Sequence, residues 1–248
     1  MKKLPLLLAF IVALFCWTIL TGADSAKTDN RPISSQPTYA WEEDNYLPIG
    51  LTDEEKTRLH EIGMNYQRTA PPPGVMRASA EWEQCERVII RWPLGLPVNL
   101  IAEMSQDIKV VTLVANASAQ SSATTTYLSG GVNMANVEFV TAATNSIWTR
   151  DYGPWTIFDS SGNIGFVDNQ YNRPRPQDDV VPQILGSAWS IPVYALPVIH
   201  TGGNHMTNGN GRSMSERLVY DENPSLTQLQ IQNYFQQYLG NAYTVLEY

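Results

Sequence analysis

The densest group of reactive side chains is the string Ile147-Trp148-Thr149-Arg150-Asp151-Tyr152-Gly153-Pro154-Trp155. A Trp, an Arg and an Asp between a strand end and a Gly-Pro turn are well placed to line a cleft at the strand termini. The same residues also suit a structural turn, in which Arg150 and Asp151 satisfy backbone groups or each other while the Trp rings fill core. A second string, Asp168-Asn169-Gln170-Tyr171-Asn172-Arg173-Pro174-Arg175-Pro176, sets two arginines two residues apart between prolines. In an extended segment the side chains at i and i+2 point the same way, so both guanidinium forks could converge on one carboxylate; a solvated basic turn is the alternative. The third string is His200-Thr201-Gly202-Gly203-Asn204-His205. Its adjacent glycines allow the backbone to approach a ligand closely. Strand alternation would put the two histidines on opposite faces, so they make no metal pair. The pairs Asp178-Asp179 and Asp221-Glu222 read as solvated loop acids, not cation ligands, and Cys85 reads as a small buried hydrophobe.

These strings need elements to hold them. Arg87–Trp92, Lys109–Ala115 and Val137–Thr141 are rich in β-branched residues and bounded by turn formers, which predicts strands, with helices at Val98–Gln106 and near Ser118–Gly130 between them. A second round is expected to run as a strand at Trp155–Phe158, a Ser160-Ser161-Gly162-Asn163 hairpin turn and a strand at Ile164–Tyr171. A helix at Asp178–Trp189 and strands at Val193–Leu196 and Arg217–Tyr220 should follow. Asn223-Pro224 reads as the opening of a helix whose buried face is Ile231, Tyr234, Phe235, Tyr238 and Leu239 and whose stop is Gly240. Ala242–Tyr248 reads as a last strand with no turn, cap or polar tail after it, so the rhythm of helix and strand is expected to be interrupted there. Alternation of this kind means a mixed α/β fold. One mixed unit recurs approximately, without a clean sequence period.

With 248 residues the chain has room for one large domain or two small ones, and 43% hydrophobic against 16% charged residues excludes wholesale disorder. A formal charge of −8 argues against a nucleic-acid partner. Lys2-Lys3, the apolar run from Leu4 to Leu20 and the small residues Thr21-Gly22-Ala23 read as a secretory signal peptide, residues 1–23, cleaved after Ala23. The expected product is secreted or periplasmic, with no membrane attachment after cleavage. Cys16, with bulky neighbours, is a poor lipidation site, and its removal leaves Cys85 without an internal disulfide partner. Residues 24–80 form a polar, Pro-rich leader, with an amphipathic candidate at Thr52–Ile62, that should stay exposed and pack late or poorly. No metal cluster and no cofactor motif stands out.

Four strings, IWTRDYGPW, YNRPRPQDD, TGGNHM and RLVYDENP, occur in an order that resembles the bacterial peptidylarginine deiminase branch of the agmatine deiminase family, from about Glu81 (EWEQCERVIIRWPLG) to residue 248. The resemblance implies a pentein, an α/β propeller of five pseudo-repeated mixed units around a central substrate tunnel, with about three units present here. It implies hydrolysis of a guanidinium to a urea, on an arginine-containing peptide or a small guanidino substrate. By the same resemblance Asp151 matches a guanidinium-gripping catalytic carboxylate and Trp148 the aromatic wall beside the substrate's alkyl stem. Arg173 and Arg175 match a pair associated with the carboxylate of a C-terminal arginine, which favours peptidyl-arginine over agmatine. The family's His-x-Asp motif and nucleophilic cysteine have no match in this sequence. Expected, therefore, is an N-terminal portion of a deiminase domain (residues 81–248) that is inactive by itself. A non-catalytic, exported arginine-peptide-binding module is the competing expectation.

Overall fold

Runs of β-branched residues bounded by turn formers build three separate sheets in the computed structural model, which describes residues 46–247. The expected signal peptide, Cys16 and leader residues 24–45 lie outside the described residues. The strands, in chain order, are β1 (Met76–Ala78), β2 (Arg87–Arg91), β3 (Lys109–Val114), β4 (Val137–Thr141), β5 (Trp155–Asp159), β6 (Ile164–Tyr171), β7 (Val193–His200), β8 (Met206–Thr207), β9 (Arg212–Glu216) and β10 (Ala242–Leu246). The helices are α1 (Asp53–Lys56), α2 (Val98–Asp107), α3 (Ala117–Ser129), α4 (Thr149–Tyr152), α5 (Pro176–Asp179), α6 (Val181–Trp189), α7 (Leu218–Asp221) and α8 (Gln228–Leu239). None of them is long and apolar enough to cross a membrane.

The sheet β2-β3-β4 is parallel, as the helical crossovers require. Its central strand β3 is buried from Val110 to Val114, which explains a nearly continuous apolar run in place of alternation. Ile101 from α2 and Tyr127 from α3 pack on it, and the Tyr127 hydroxyl meets Thr112 Oγ1 at 2.8 Å, so the one polar group on that strand's buried run is satisfied. A second sheet runs β1-β5-β6-β7, with α8 pressing Ile231, Phe235, Tyr238 and Leu239 onto Met76, Ile157, Val167 and Leu196. The third, β10-β9-β8, joins the same core through Tyr243.

Four expectations change, each for a local reason. Strand β7 runs on to His200 because a register shift opposite Asn169/Gln170 absorbs Pro197, which has no N–H to give the ladder. The strand placed at Arg217–Tyr220 is instead α7, and the real strand is β9, whose buried positions are serines, Ser213 and Ser215, that carry no apolar signal. Asn223 does not open a helix: its side chain donates to the Ile199 and Val219 carbonyls and accepts from Ile199 N–H, so it ties α7 to β7. Helix α8 starts at a capping box made by Thr227 and Gln230. The helix expected over Asp178–Trp189 breaks at Val180, because Pro182 cannot donate back to the Asp178 carbonyl.

The leader and the acids also differ from expectation. Beyond residue 45 the leader is packed: β1 pairs antiparallel with β5, Tyr238 Oη donates to the Thr69 carbonyl at 2.5 Å, and Glu55 is buried. Thr52–Ile62 forms only the short α1 and a 3-10 turn at Leu59–Glu61, and the buried residue of α1 is an acid where an apolar face was expected. Cys85 is exposed, since it sits in the turn before β2, outside any core. Asp178 is fully buried and accepts from the Asn145 N–H at 2.7 Å, the Ser146 N–H at 3.2 Å and Ser146 Oγ at 2.7 Å; burial still pushes its carboxyl up to about 6. Asp179 accepts from the Tyr171 N–H at 2.8 Å, so neither acid is a solvated loop residue. Asp168, on β6, is buried with Gln183 Nε2 at 2.9 Å, and burial pushes it up to about 7.

Two measurements follow from this packing. Gly240 ends α8 at a φ of 71°, and a Cβ there would run into the Met76 carbonyl of β1. Gly240→Ala should therefore lower stability by about 1–3 kcal/mol in urea unfolding, and an unchanged midpoint would contradict this packing. Asp168 keeps its proton in the fold up to about 7 against a usual value of 3.8, so its contribution is fully present below 3.8 and is lost as pH rises through about 7. Asp168→Asn should accordingly raise the urea midpoint more at pH 8 than at pH 5; equal gains at both pH values would refute the shift.

Candidate functional site

Helix α4 is a single turn that carries the Trp148–Asp151 string. Thr149 Oγ1 donates to the Ile89 carbonyl at 3.1 Å and Tyr152 Oη to the Ser146 carbonyl at 3.1 Å, so the turn is fastened to β2 and to the loop that Asp178 organises. Asp151 is 6% exposed, and its Oδ1 accepts from the Gly203 N–H at 3.1 Å. Its Oδ2 has no hydrogen-bond partner among the described residues. The adjacent glycines are used within the protein: a Cβ on Gly202 would strike the Arg150 carbonyl, and one on Gly203 would strike Asp151 Oδ1. Only glycine lets the 3-10 turn at Gly202–Asn204 come this close to α4.

Trp148 is half-buried, donates from Nε1 to the Leu47 carbonyl at 3.0 Å, and lines a 330 Å³ pocket with Ile90, Arg91, Gly95, Leu96 and Ile147. The two arginines do not converge on one carboxylate: Arg175 takes Glu55 and Arg173 lies near Glu222. Between them the chain makes a tight turn, with the Arg175 N–H donating to the Arg173 carbonyl at 2.8 Å, so the extended geometry that would align i and i+2 is absent. Arg175 is 1% exposed and grips Glu55 side-on, Nε to Oε1 at 2.7 Å and Nη2 to Oε2 at 3.2 Å. Nη2 also donates to the carbonyls of Pro48 at 2.8 Å and Gly50 at 3.1 Å. Burial alone would raise the Glu55 carboxyl, but the hydrogen bonds from Arg175 and from the Thr52 N–H outweigh it and hold it below the usual range. Arg173 donates to the Ile49 carbonyl at 3.0 Å and comes within 4.0 Å of Glu222.

Tyr171 ties these groups together. Its buried ring packs edge-on against Tyr152 at 5.9 Å and its hydroxyl lies 3.5 Å from Arg175 Nη1. Burial raises the phenol, and the positive charge of Arg175 opposes that rise. Trp148, Arg173 and Arg175 thus all meet the segment Leu47–Gly50, with Arg175 also held by Glu55, whereas the Asp151 carboxylate meets Gly203.

The histidines correct the alternation argument. The 3-10 turn breaks the strand between His200 and His205, so both rings reach the same aromatic cluster, 5.2 Å and 4.1 Å from Trp155 and 6.1 Å from each other. Both are buried. His200 Nε2 lies 3.1 Å from Ser215 Oγ and 3.3 Å from Tyr243 Oη, and His205 Nε2 lies 3.1 Å from Ser213 Oγ. Burial pushes His200 down to about 4 and His205 well below its usual value, so both rings are neutral near pH 7. Among the described residues no group of three His, Cys, Asp or Glu could hold a metal ion. Sequence reasoning missed Glu55 and this histidine cluster, and it read Trp155 only as part of the Ile147–Trp155 string. The Gly-Gly between the histidines was the one available signal, since it marks a break in strand alternation. Cys85 lines a different cleft, with Phe158, Phe166 and Trp189.

The family model described as Porphyromonas-type peptidyl-arginine deiminase matches residues 77–246. A curated relative from Legionella pneumophila (strain Paris), named "Putative agmatine deiminase", is 26% identical over 194 residues, 69% of this chain and 55% of the relative. One of the same name from Shewanella sp. (strain W3-18-1) is 26% identical over 69% of this chain and 52% of its own length. The chain thus spans about half the length of the curated relatives it matches. Among solved structures, an agmatine deiminase of Enterococcus faecalis has a TM-score of 0.59 at 22% identity, covering 72% of this chain and 56% of its own. A C. jejuni agmatine deiminase has a TM-score of 0.57 at 20% identity, covering 70% and 55%. At these identities the structures speak for the fold, a mixed α/β architecture shared with the deiminases. With the family model covering more than half of its residues, the chain belongs to the Porphyromonas-type peptidyl-arginine deiminase family of guanidino-group hydrolases.

Proposed function

We propose that this chain is a guanidinium-recognising part of an enzyme that hydrolytically deiminates peptidyl-arginine, giving peptidyl-citrulline and ammonia. The observation that carries this reading is Asp151: a buried carboxylate on the one-turn helix that Trp148 opens, with Oδ1 fixed by the Gly203 N–H and Oδ2 unpartnered among the described residues. A carboxylate so placed can grip a guanidinium by charge-assisted hydrogen bonds and localise its positive charge while the carbon is attacked. Water supplies the urea oxygen, one carbon–nitrogen bond breaks, and the nitrogen leaves as ammonia. The three sheets, each with flanking helices, support a reading of the fold as about three units of the five-unit pentein ring.

Agmatine is the second substrate reading, and a specific observation favours it. Glu55 occupies the fork of Arg175, which weakens the case for substrate-carboxylate recognition, and the curated relatives carry agmatine deiminase names. The basic start, apolar run and small-residue exit of residues 1–23 support secretion or a periplasmic location as part of the proposal.

The 248-residue polypeptide is expected to bind guanidino ligands without turning them over. It contains no His-x-Asp motif, and Cys85 lines a cleft that does not include Trp148. Calorimetry with agmatine and with N-acetyl-glycyl-arginine, together with an ammonia-release assay, tests this. Asp151→Ala should weaken both ligands by about tenfold or more, the scale of one charge-assisted contact, with no ammonia formed. Undiminished binding by the variant would remove Asp151 from the site, and ammonia release that depends on Asp151 would overturn the expected inactivity.

A further inference from the structure

The segment Leu47–Glu55 lies on the proposed substrate-binding side chains in the manner of a peptide ligand. Its four consecutive carbonyls from Leu47 to Gly50 are each taken by one of them: Leu47 by Trp148 Nε1, Pro48 by Arg175, Ile49 by Arg173 Nε, and Gly50 by Arg175. These are contacts to main-chain carbonyls, which any peptide carries whatever its side chains. A few residues later the Glu55 carboxylate enters the fork of Arg175, the geometry with which an arginine holds a carboxylate. Glu55 is presented rigidly, because its Oε2 also accepts from the Thr52 N–H in the capping box that opens α1. The segment lies upstream of residues 77–246, the stretch that the family model matches.

Two physical points argue that this is a receptor filled in cis and more than a packing contact. A buried arginine must be paired, and here a carboxylate and two carbonyls satisfy it, partners that a bound peptide with a free C-terminus also carries. The donors on the other side belong to the turn after β6 and to the residue that begins α4, the two strings whose composition first marked them as reactive. Connected through the same chain, the segment holds its place at high effective concentration.

We infer that Leu47–Glu55 is a built-in pseudo-ligand, with Glu55 standing where a peptide C-terminal carboxylate would sit on Arg175, so that peptides ending in a free carboxylate bind only by displacing it. This rests on the deiminase reading for the location of the site, but its test is separable.

The probes are N-acetyl-glycyl-arginine and its C-terminal amide, titrated into the 248-residue protein and into Glu55→Gln, which keeps the side chain's shape and removes its charge. The acid should bind Glu55→Gln about tenfold or more tighter than wild type, while the amide changes little, and Arg175→Gln added to Glu55→Gln should erase the gain. Equal affinity of the acid for wild type and a folded Glu55→Gln overturns the proposal. Should Glu55→Gln not fold, hydrogen exchange in the wild-type chain decides: saturating acid peptide should raise exchange at the backbone amides of residues 49–55, and unchanged exchange overturns it. Agmatine, which has no carboxylate, separates the two readings. Asp151-dependent agmatine binding with no effect of Glu55→Gln on the acid peptide would leave the deiminase reading standing and remove the pseudo-ligand. Acid-over-amide selectivity released by Glu55→Gln without agmatine binding would do the reverse.

Discussion

The ion pair between Arg175 and Glu55 sets the terms for everything around it, because both charges are out of water and neither could stay there alone. Removing one partner of such a pair leaves an uncompensated buried charge and typically costs about 3–5 kcal/mol. The pair therefore commits three pieces of chain at once: the upstream segment that delivers Glu55, the turn after β6 that delivers Arg175, and the helix α5 that begins there. Asp178, three residues on, extends the same junction to Asn145 and Ser146, and Ser146 passes it to Tyr152 at the end of α4. Asp179 closes it back on the Tyr171 N–H. A short polar stretch thus holds the candidate site in register with two sheets, where hydrophobic packing alone would leave turns free to shift.

Within that frame the site is built by close backbone approach. Gly202 and Gly203 let a 3-10 turn touch α4, so that Asp151 is buried yet has one oxygen satisfied by a main-chain donor. One main-chain hydrogen bond and the surrounding burial thus restrict the orientation of this carboxylate, which suits it to the guanidinium-binding role proposed for it. The same turn brings His205 to stack on Trp155, which His200 meets edge-on. Their burial keeps them neutral, so the cluster adds no positive charge near a site proposed to receive a guanidinium.

Much of this was legible in sequence wherever the signal was apolar and local. Strands β2 to β6 and helices α2 and α3 follow from β-branched runs, periodicity and turn formers, and they sit within a residue or two of expectation. The failures share a cause. Strand β9 buries serines, α1 buries a glutamate, and Asp178 and Asp179 are inside; each is a polar residue whose burial depends on a partner far away in the chain. Periodicity of hydrophobic residues cannot report such positions, since burial of a polar group is decided by what satisfies it.

For the site the division is similar. The sequence made the strings that carry Trp148, Asp151, Arg173, Arg175 and the Gly-Gly pair stand out by composition, while their order resembles the deiminase family and that resemblance alone implied their roles. Only the tertiary structure decided how they meet. It set Arg175 on Glu55 and Arg173 on the Ile49 carbonyl, brought two histidines expected on opposite faces to one ring, and packed the supposed exposed leader against Trp148 and both arginines. The reason is that a side chain's direction follows from the local backbone, here a tight turn, and its partners lie more than a hundred positions away in the chain, where no local pattern can name them.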